Sequence, residues 1–558
     1  MTITAAIDRA GQRLQAEQVA GNHWVGRLSS SARATALAVI ALHLAGRGQY
    51  HLAGRGQHEE QIERGRGWLR ENQQADGGWG DADFDATNLR ATTLALAAFR
   101  LTDDDSPASR VVMAGAERFL AAAGGFGDVR DPDSSKLGKT SYTIAALAGL
   151  ANWEGIRPLR PELILLPQRW RRKVSFSFPG YLSLALVQSH RAPGLANRLP
   201  TYRLACQRAI DWLGQACGPD GSSQEAIYTT ANLVISLVSA GHGNVAWLPD
   251  AVGFLLATQR NDGSWPIVRD LETFDTDMAV FALAEAGATI PRPEAVREWL
   301  LARQFTGPCF ATGTGPGGWA WAMPSGWPDA DDTAYTLLAL LALGEPAASP
   351  AIRRGLGWLE MMQNQTGSWP TLVPNSLLGF DRDCPYITGH VLSALQACGR
   401  LAEKPALLDR ALRYLATAQR PDGSFASIWF REHTTGTASA LEALADCGLL
   451  HTDLASGARL ALCRNQNQDG GWAGARGQAS TAEETAWAAL ALLRVGEDEA
   501  QQAAGRGIAW LIEHQRADAT WRQAPIGFYS TSMWYSNSYY ALSLPLQALA
   551  RAQKLAAA

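Results

Sequence analysis

The chain has 558 residues, 47% hydrophobic and 18% charged, with a formal net charge of −4 at pH 7. That length exceeds one ordinary core and favours two or three domains, while the mild acidity gives no reason to expect a nucleic-acid partner. The seven cysteines are odd in number and never spaced as CxxC, which suits a reducing compartment and argues against a disulfide framework.

The opening stretch, MTITAAIDRAGQRLQAEQ, is mixed polar and lacks an apolar h-region, so no signal peptide is expected. No later run reaches the roughly 18 apolar residues of a spanning helix. A repeat then organises the whole sequence. Gln, three residues, Gly, one residue and Trp recur in full as QQADGGW (Gln73 to Trp79), QRNDGSW (Gln259 to Trp265), QNQTGSW (Gln363 to Trp369) and QNQDGGW (Gln466 to Trp472). QRPDGSF ends in Phe425, QRADATW replaces the glycine by Ala519, and a weaker copy runs from Gln18 to Trp24 with Asn22 at the glycine position. Each copy follows a helical pattern such as GWLEMMQ or AWLIEHQ and precedes an Ala/Leu-rich one such as AYTLLALLALG. The unit is therefore helix, glycine turn carrying a Trp, helix. Gln is suited to bond backbone groups at helix ends, and the repeat tryptophans read as packing staples. β-branched alternation is scarce, so the fold class is all-α, with helices in layers.

Between repeats, SFSFPGYLSLALV (residues 175–187) follows Arg171-Arg172-Lys173. It suits either a membrane-surface helix or a buried helix with a solvated entrance. Further on, WPDADDTAYTLLAL places Asp329, Asp331 and Asp332 at the mouth of an apolar helix. Carboxyls that close oppose joint ionisation and hold a proton on at least one of them. They also suit a helix N-cap.

Repeats of this type followed by DADDTA resemble the class II terpene cyclases, in particular the squalene-hopene cyclase branch and its shorter bacterial relatives. The likeness runs through HWVGRLSSSARATAL, ELILLPQRW, GGWAWAMPSGWPDADDTA, DCPYITGHVLSAL and GFYSTSMWYSNSYYALSLPLQALAR. It implies two α/α-barrel domains, with residues 25–268 inserted and residues 269–558 plus 1–24 forming the barrel that carries the acid. It also implies an enzyme that protonates an alkene or epoxide of a linear isoprenoid, most simply squalene or a similar polyprene. Such an acid must be kept protonated and desolvated. By the family pattern Asp331 donates the proton, Asp329 and Asp332 orient it, and His390 in TGHVL supports it. The cavity-wall positions carried over are Trp321, Trp429, Phe274, Trp327, Tyr181, Tyr529, Trp534 and Tyr540, because aromatic faces attract cations without trapping them. Leu372 and Tyr386 depart from the squalene-cyclase pattern, which leaves the product open.

No metal is expected, and magnesium only if the substrate carries a diphosphate, as in drimenyl- or copalyl-type cyclases. Lys136, Lys139, Arg171, Arg172 and Lys173 are the candidates to hold that group. A protein prenyltransferase β-subunit would need zinc, with Asp381, Asp383, Cys384 and His390 as the nearest candidates. A non-catalytic helical binding toroid has no use for three carboxylates opposite aromatic residues. The expected partner is a hydrophobic isoprenoid and the expected location cytoplasmic. Peripheral contact with the inner face of the plasma membrane and a homodimer are both compatible with this reading.

Overall fold

The computed structural model describes residues 1–47, 58–83, 85–125, 137–156, 158–529 and 533–557. The chain divides into two compact units. One comprises Met1–Arg27, Asp270–Met323 and Trp327–Ala558; the other comprises Leu28–Arg269 and Pro324–Gly326. Pro324–Gly326, which the sequence reading places with the C-terminal barrel, joins the second unit because Ser325 donates its amide to Glu225 and its hydroxyl to Asp220.

In the first unit, six inner helices close a ring among the described residues. They are Glu272–Glu285, Ala330–Ala342, Pro385–Ala397, Thr434–Asp446, Ala482–Leu492 and Tyr540–Ala557, each packed on the next and the last on the first. Ile3–Ala16, Pro293–Ala302, Pro350–Met362, Pro405–Ala418, Asp453–Asn465 and Asp498–His514 pack around them. The composition explains the layering. Inner helices are Ala- and Leu-rich all round because both flanks are buried, whereas an outer helix such as Pro405–Ala418 buries one stripe, Leu407, Ala411, Tyr414 and Leu415. In the second unit Ala32–Arg47, Leu89–Leu101, Gly138–Leu147, Phe178–Arg191 and Ile227–Ser239 close a similar ring.

The repeats staple these rings. The indole N–H groups of Trp24, Trp369, Trp472 and Trp521 each donate to the carbonyl ten residues earlier, at 2.7–2.8 Å, which satisfies a helix C-terminus. The Gln amide crosses to the next outer helix. Gln363 donates to Gly367 and Leu407, Gln419 to Gly423 and Leu454, Gln466 to Gly470 and Ala503, and Gln515 to Ala519 and Ala6. The last pair joins the C-terminal end of the barrel to its N-terminal helix. The repeat glycine is required by conformation and space: Gly367 has φ +98°, and a Cβ there would lie 2.2 Å from the Arg410 carbonyl. Gln304 makes the same bonds, to Gly317 and Ala351, and Trp319 donates to Leu300. This is a further repeat, interrupted by an insertion that hides it from a fixed spacing.

Gln466→Ala would leave two buried carbonyls and the Arg506 guanidinium without their partner. At about 1–3 kcal/mol per unsatisfied group, the two buried carbonyls alone put the expected loss of stability at about 2–6 kcal/mol. Urea unfolding checks this, and a change under about 0.5 kcal/mol would contradict the stapling role.

Residues 175–187 are not a surface segment. Leu182 to Val187 are buried in the inner helix Phe178–Arg191 of the second unit, because its two neighbours in that ring cover both flanks. Trp170, just before it, is exposed. No helix among the described residues is long and apolar enough to cross a membrane. Near the C-terminus a short antiparallel hairpin, β1 (Gly527–Tyr529) with β2 (Met533–Tyr535), departs from the all-helical expectation.

Candidate active site

The helix Ala330–Ala342 begins where Asp329, extended at φ −134°, caps it by accepting the Asp332 amide at 2.8 Å. Capping is thus the work of Asp329, which leaves Asp331 for another task. His390 Nδ1 lies 2.7 Å from Asp331 Oδ1, and His390 Nε2 lies 3.1 Å from the Tyr335 hydroxyl. Asp331 retains 15% side-chain exposure, whereas Asp329 and Asp332 are buried. Burial, then the neighbouring carboxyls, push Asp332 well above the usual carboxylate range, and its Oδ1 has no hydrogen-bond partner. Burial likewise raises Asp329, to about 7. Behind them Asp277, fully buried on the adjacent inner helix, accepts the Thr336 hydroxyl at 2.7 Å and is also held well above its ordinary value.

An aromatic cluster surrounds this group. Phe274 meets Tyr335 at 4.9 Å and Tyr540 at 5.8 Å between ring centroids. Tyr386 stands edge-on to His390 at 4.2 Å, and Phe430 bridges Tyr386, Trp487 and Tyr540. Behind Tyr335 and His390 a cavity of about 400 Å³ leads along the lumen to a charged end where Arg551 pairs with Glu285 and Glu442, and Arg494 with Asp446.

Of the aromatic positions named from sequence, Phe274 and Tyr540 belong to this cluster. Trp429 is tied to the same rim: its indole donates to the Thr371 hydroxyl at 2.7 Å, and the Thr371 carbonyl receives the Ala330 amide. The Trp321 carbonyl receives the amide of Thr273, next to Phe274. Trp327 is buried two residues before the Asp329 cap. Trp534 packs on Phe528 across the hairpin, and Tyr529 is buried in β1. Tyr181 belongs to the second unit, where its hydroxyl accepts the Arg160 amide.

Tyr335, Phe430 and Trp487 escaped the sequence reading, although a signal for two of them exists. In five inner helices a threonine hydroxyl accepts the amide of a repeat aromatic: Thr276 from Trp24, Thr333 from Trp319, Thr388 from Trp369, Thr437 from Phe425 and Thr485 from Trp472. The residues two after these threonines are Met278, Tyr335, His390, Ser439 and Trp487, and all line the cavity. The residues two before are Phe274, Asp331, Tyr386, Thr435 and Glu483. Positions four apart share a helix face, so both sets belong to the lumen face.

The other residues weighed from sequence do not converge. Asp383 takes the Thr366 and Ser368 hydroxyls, Asp381 takes the Leu372 amide, and Cys384 is buried. No group of three or more His, Cys, Asp or Glu among the described residues is placed to hold a metal ion. Lys139, Arg171, Arg172 and Lys173 all belong to the second unit, where Arg171 donates to the Leu166 carbonyl and Lys173 lies over the Trp170 ring; Lys136 lies outside the described residues.

The raised carboxyls have a consequence for stability. Burial lifts Asp275 and Glu483 to about 8, and Asp329, Asp381 and Glu484 to about 7. The unfolded chain releases these protons near pH 4, so raising the pH through 7 to 8 strips protons that only the folded state holds, and stability falls. Carboxyls held low, such as Asp104 and Glu360, are ionised in both states there, while histidines held low by burial, such as His43 and His242, act in the opposite sense only until the unfolded imidazoles lose their remaining protons by about pH 7.5, a smaller effect than that of the raised carboxyls. We expect a melting midpoint several degrees lower at about pH 8.5 than at about pH 6.5, read by circular dichroism. An equal or higher midpoint at the alkaline pH would contradict the buried-acid picture.

Residues 7–177 match the squalene-hopene cyclase N-terminal domain and residues 272–554 the squalene-hopene cyclase C-terminal domain. The squalene-hopene cyclase of Alicyclobacillus acidocaldarius is 27% identical, over 96% of this chain and 94% of its own. The drimenyl diphosphate synthase of Streptomyces showdoensis is 28% identical over 50% of each chain. Among solved structures, the ent-copalyl diphosphate synthase of Streptomyces platensis shares the fold, with a TM-score of 0.63, 19% identity and 99% of both chains covered. With its C-terminal family model alone covering half of its length, the helical chain belongs to the squalene-hopene cyclase family of class II terpene cyclases.

Proposed function

We propose that the protein cyclises a linear isoprenoid without a diphosphate, of the squalene type, with Asp331 as the initiating acid. The observation that carries this is the Asp331–His390 pair at the rim of an aromatic-lined barrel, backed by carboxyls that burial keeps protonated. With Tyr335 donating to His390 Nε2, the ring proton sits on Nδ1 and is donated to Asp331 Oδ1. The acidic proton of Asp331 is then on Oδ2. That O–H bond breaks, a terminal alkene uses its π pair to form the new C–H bond, and the cation left on the neighbouring carbon is attacked by the next alkene. The Asp331 anion is stabilised by the His390 N–H and by the helix N-terminus at which it sits. Phe274, Tyr386, Phe430, Trp487 and Tyr540 supply faces for the migrating charge without lone pairs that would capture it.

Squalene as the class of substrate rests on the similarity to a squalene-hopene cyclase along 96% of the chain. The second reading, a prenyl diphosphate cyclase, rests on the half-chain similarity to a drimenyl diphosphate synthase. Incubation of the purified protein with squalene, farnesyl diphosphate and geranylgeranyl diphosphate, with products identified by mass spectrometry, decides between them. Consumption of squalene alone supports the first reading, and cyclic diphosphates with squalene untouched would overturn it.

A further inference from the structure

Across the ring from the acid stands a second carboxyl in the same register. The helix Ala482–Leu492 lies three places from Ala330–Ala342 in either direction around the six inner helices. Glu483 holds there, two residues before Thr485, the position that Asp331 holds before Thr333. Four residues on, Trp487 lines the cavity and joins the aromatic cluster, as Tyr335 does after Asp331. Glu483 is fully buried. Its Oε1 accepts the Ala524 amide at 3.0 Å, while its Oε2 has no hydrogen-bond partner. The neighbouring Glu484 also has one oxygen, Oε1, without a hydrogen-bond partner, but its Oε2 meets the Thr481 hydroxyl at 2.9 Å and the Arg431 guanidinium at 3.5 Å, a cation that Glu483 does not pair with. A buried carboxyl with one oxygen unsatisfied costs free energy that Ala or Ser at this site would avoid.

We propose that Glu483 is the proton acceptor that ends the cyclisation begun by Asp331, an inference that rests on the proposed function above. The C–H bond beside the final cationic carbon breaks, its electron pair closes a C=C bond, and Glu483 Oε2 takes the proton. Asp331 supplies one proton at one wall of the lumen and Glu483 removes one at the opposite wall, so the product is an isomer of the substrate. Glu483 acts as its carboxylate: burial lifts the group to about 8, so the ionised form that takes the proton gains population as the pH rises towards 8.

The test is the product distribution of Glu483→Gln on whichever of squalene, farnesyl diphosphate or geranylgeranyl diphosphate the wild type consumes, with Glu484→Gln as control. Glu483→Gln keeps the size and the acceptor for Ala524, and among its products the share of fully cyclised alkene should fall at least about tenfold in favour of alcohols or less-cyclised alkenes. Glu484→Gln should keep the parental mixture. If Glu483→Gln does not fold, Glu483→Asp carries the test, with the same shift at smaller size. A folded Glu483→Gln, or in its absence Glu483→Asp, with the parental mixture would overturn this inference alone, as would a wild-type product that is wholly an alcohol. No consumption of any substrate by the wild type would overturn the proposed function first.

Discussion

Asp331→Asn is expected to fold like the wild type and to lose cyclisation by more than about 10³-fold. The amide keeps the size of the carboxyl and its contact with His390 but has no proton that an alkene can take. The fold should tolerate the change because the capping bond at this helix belongs to Asp329, not Asp331. Substrate consumption at matched folded protein, with a melting midpoint within about 2 °C of the wild type, is the readout. Turnover within tenfold of the wild type would remove Asp331 from its role.

His390→Ala should cost about 10- to 100-fold, the range for a residue that orients a reacting group. The acid remains, but it loses the N–H that holds Oδ1 and stabilises the anion left after proton transfer. The ring also fills the space between Tyr335 and Tyr386, so its loss leaves a hole the size of an imidazole. Imidazole added to the assay should therefore restore part of the rate, which a purely structural loss would not show. Unchanged turnover, or a loss explained wholly by unfolding, would reduce His390 to a packing residue.

The carboxyl cluster was legible because its parts are contiguous and polar. Three carboxyls in four residues and a histidine inside an apolar helix both stand out in any sequence. The aromatic lining was harder. Tyr335 and Trp487 sit in Ala/Leu-rich helices and look like ordinary core until the helices are aligned on the threonines that receive the repeat amides. Phe430 sits in a loop and reaches the lumen only through tertiary packing, so no local period marks it. Tyr386 reads as the loss of an acid in sequence and proves to be a ring set against His390. The Gln304–Trp319 repeat was hidden by its insertion, although its hydrogen bonds match those of the intact copies. β1 and β2 lie in a Ser/Tyr-rich stretch with too few residues per strand to show alternation.

Protonation of carbon is the central claim, and deuterium incorporation reads it directly. With the accepted substrate in deuterium oxide, the cyclised product should carry one non-exchangeable deuterium, on the carbon that received the Asp331 proton, seen as a mass increase of about one unit. A cyclised product without carbon-bound deuterium would contradict initiation by a protein acid.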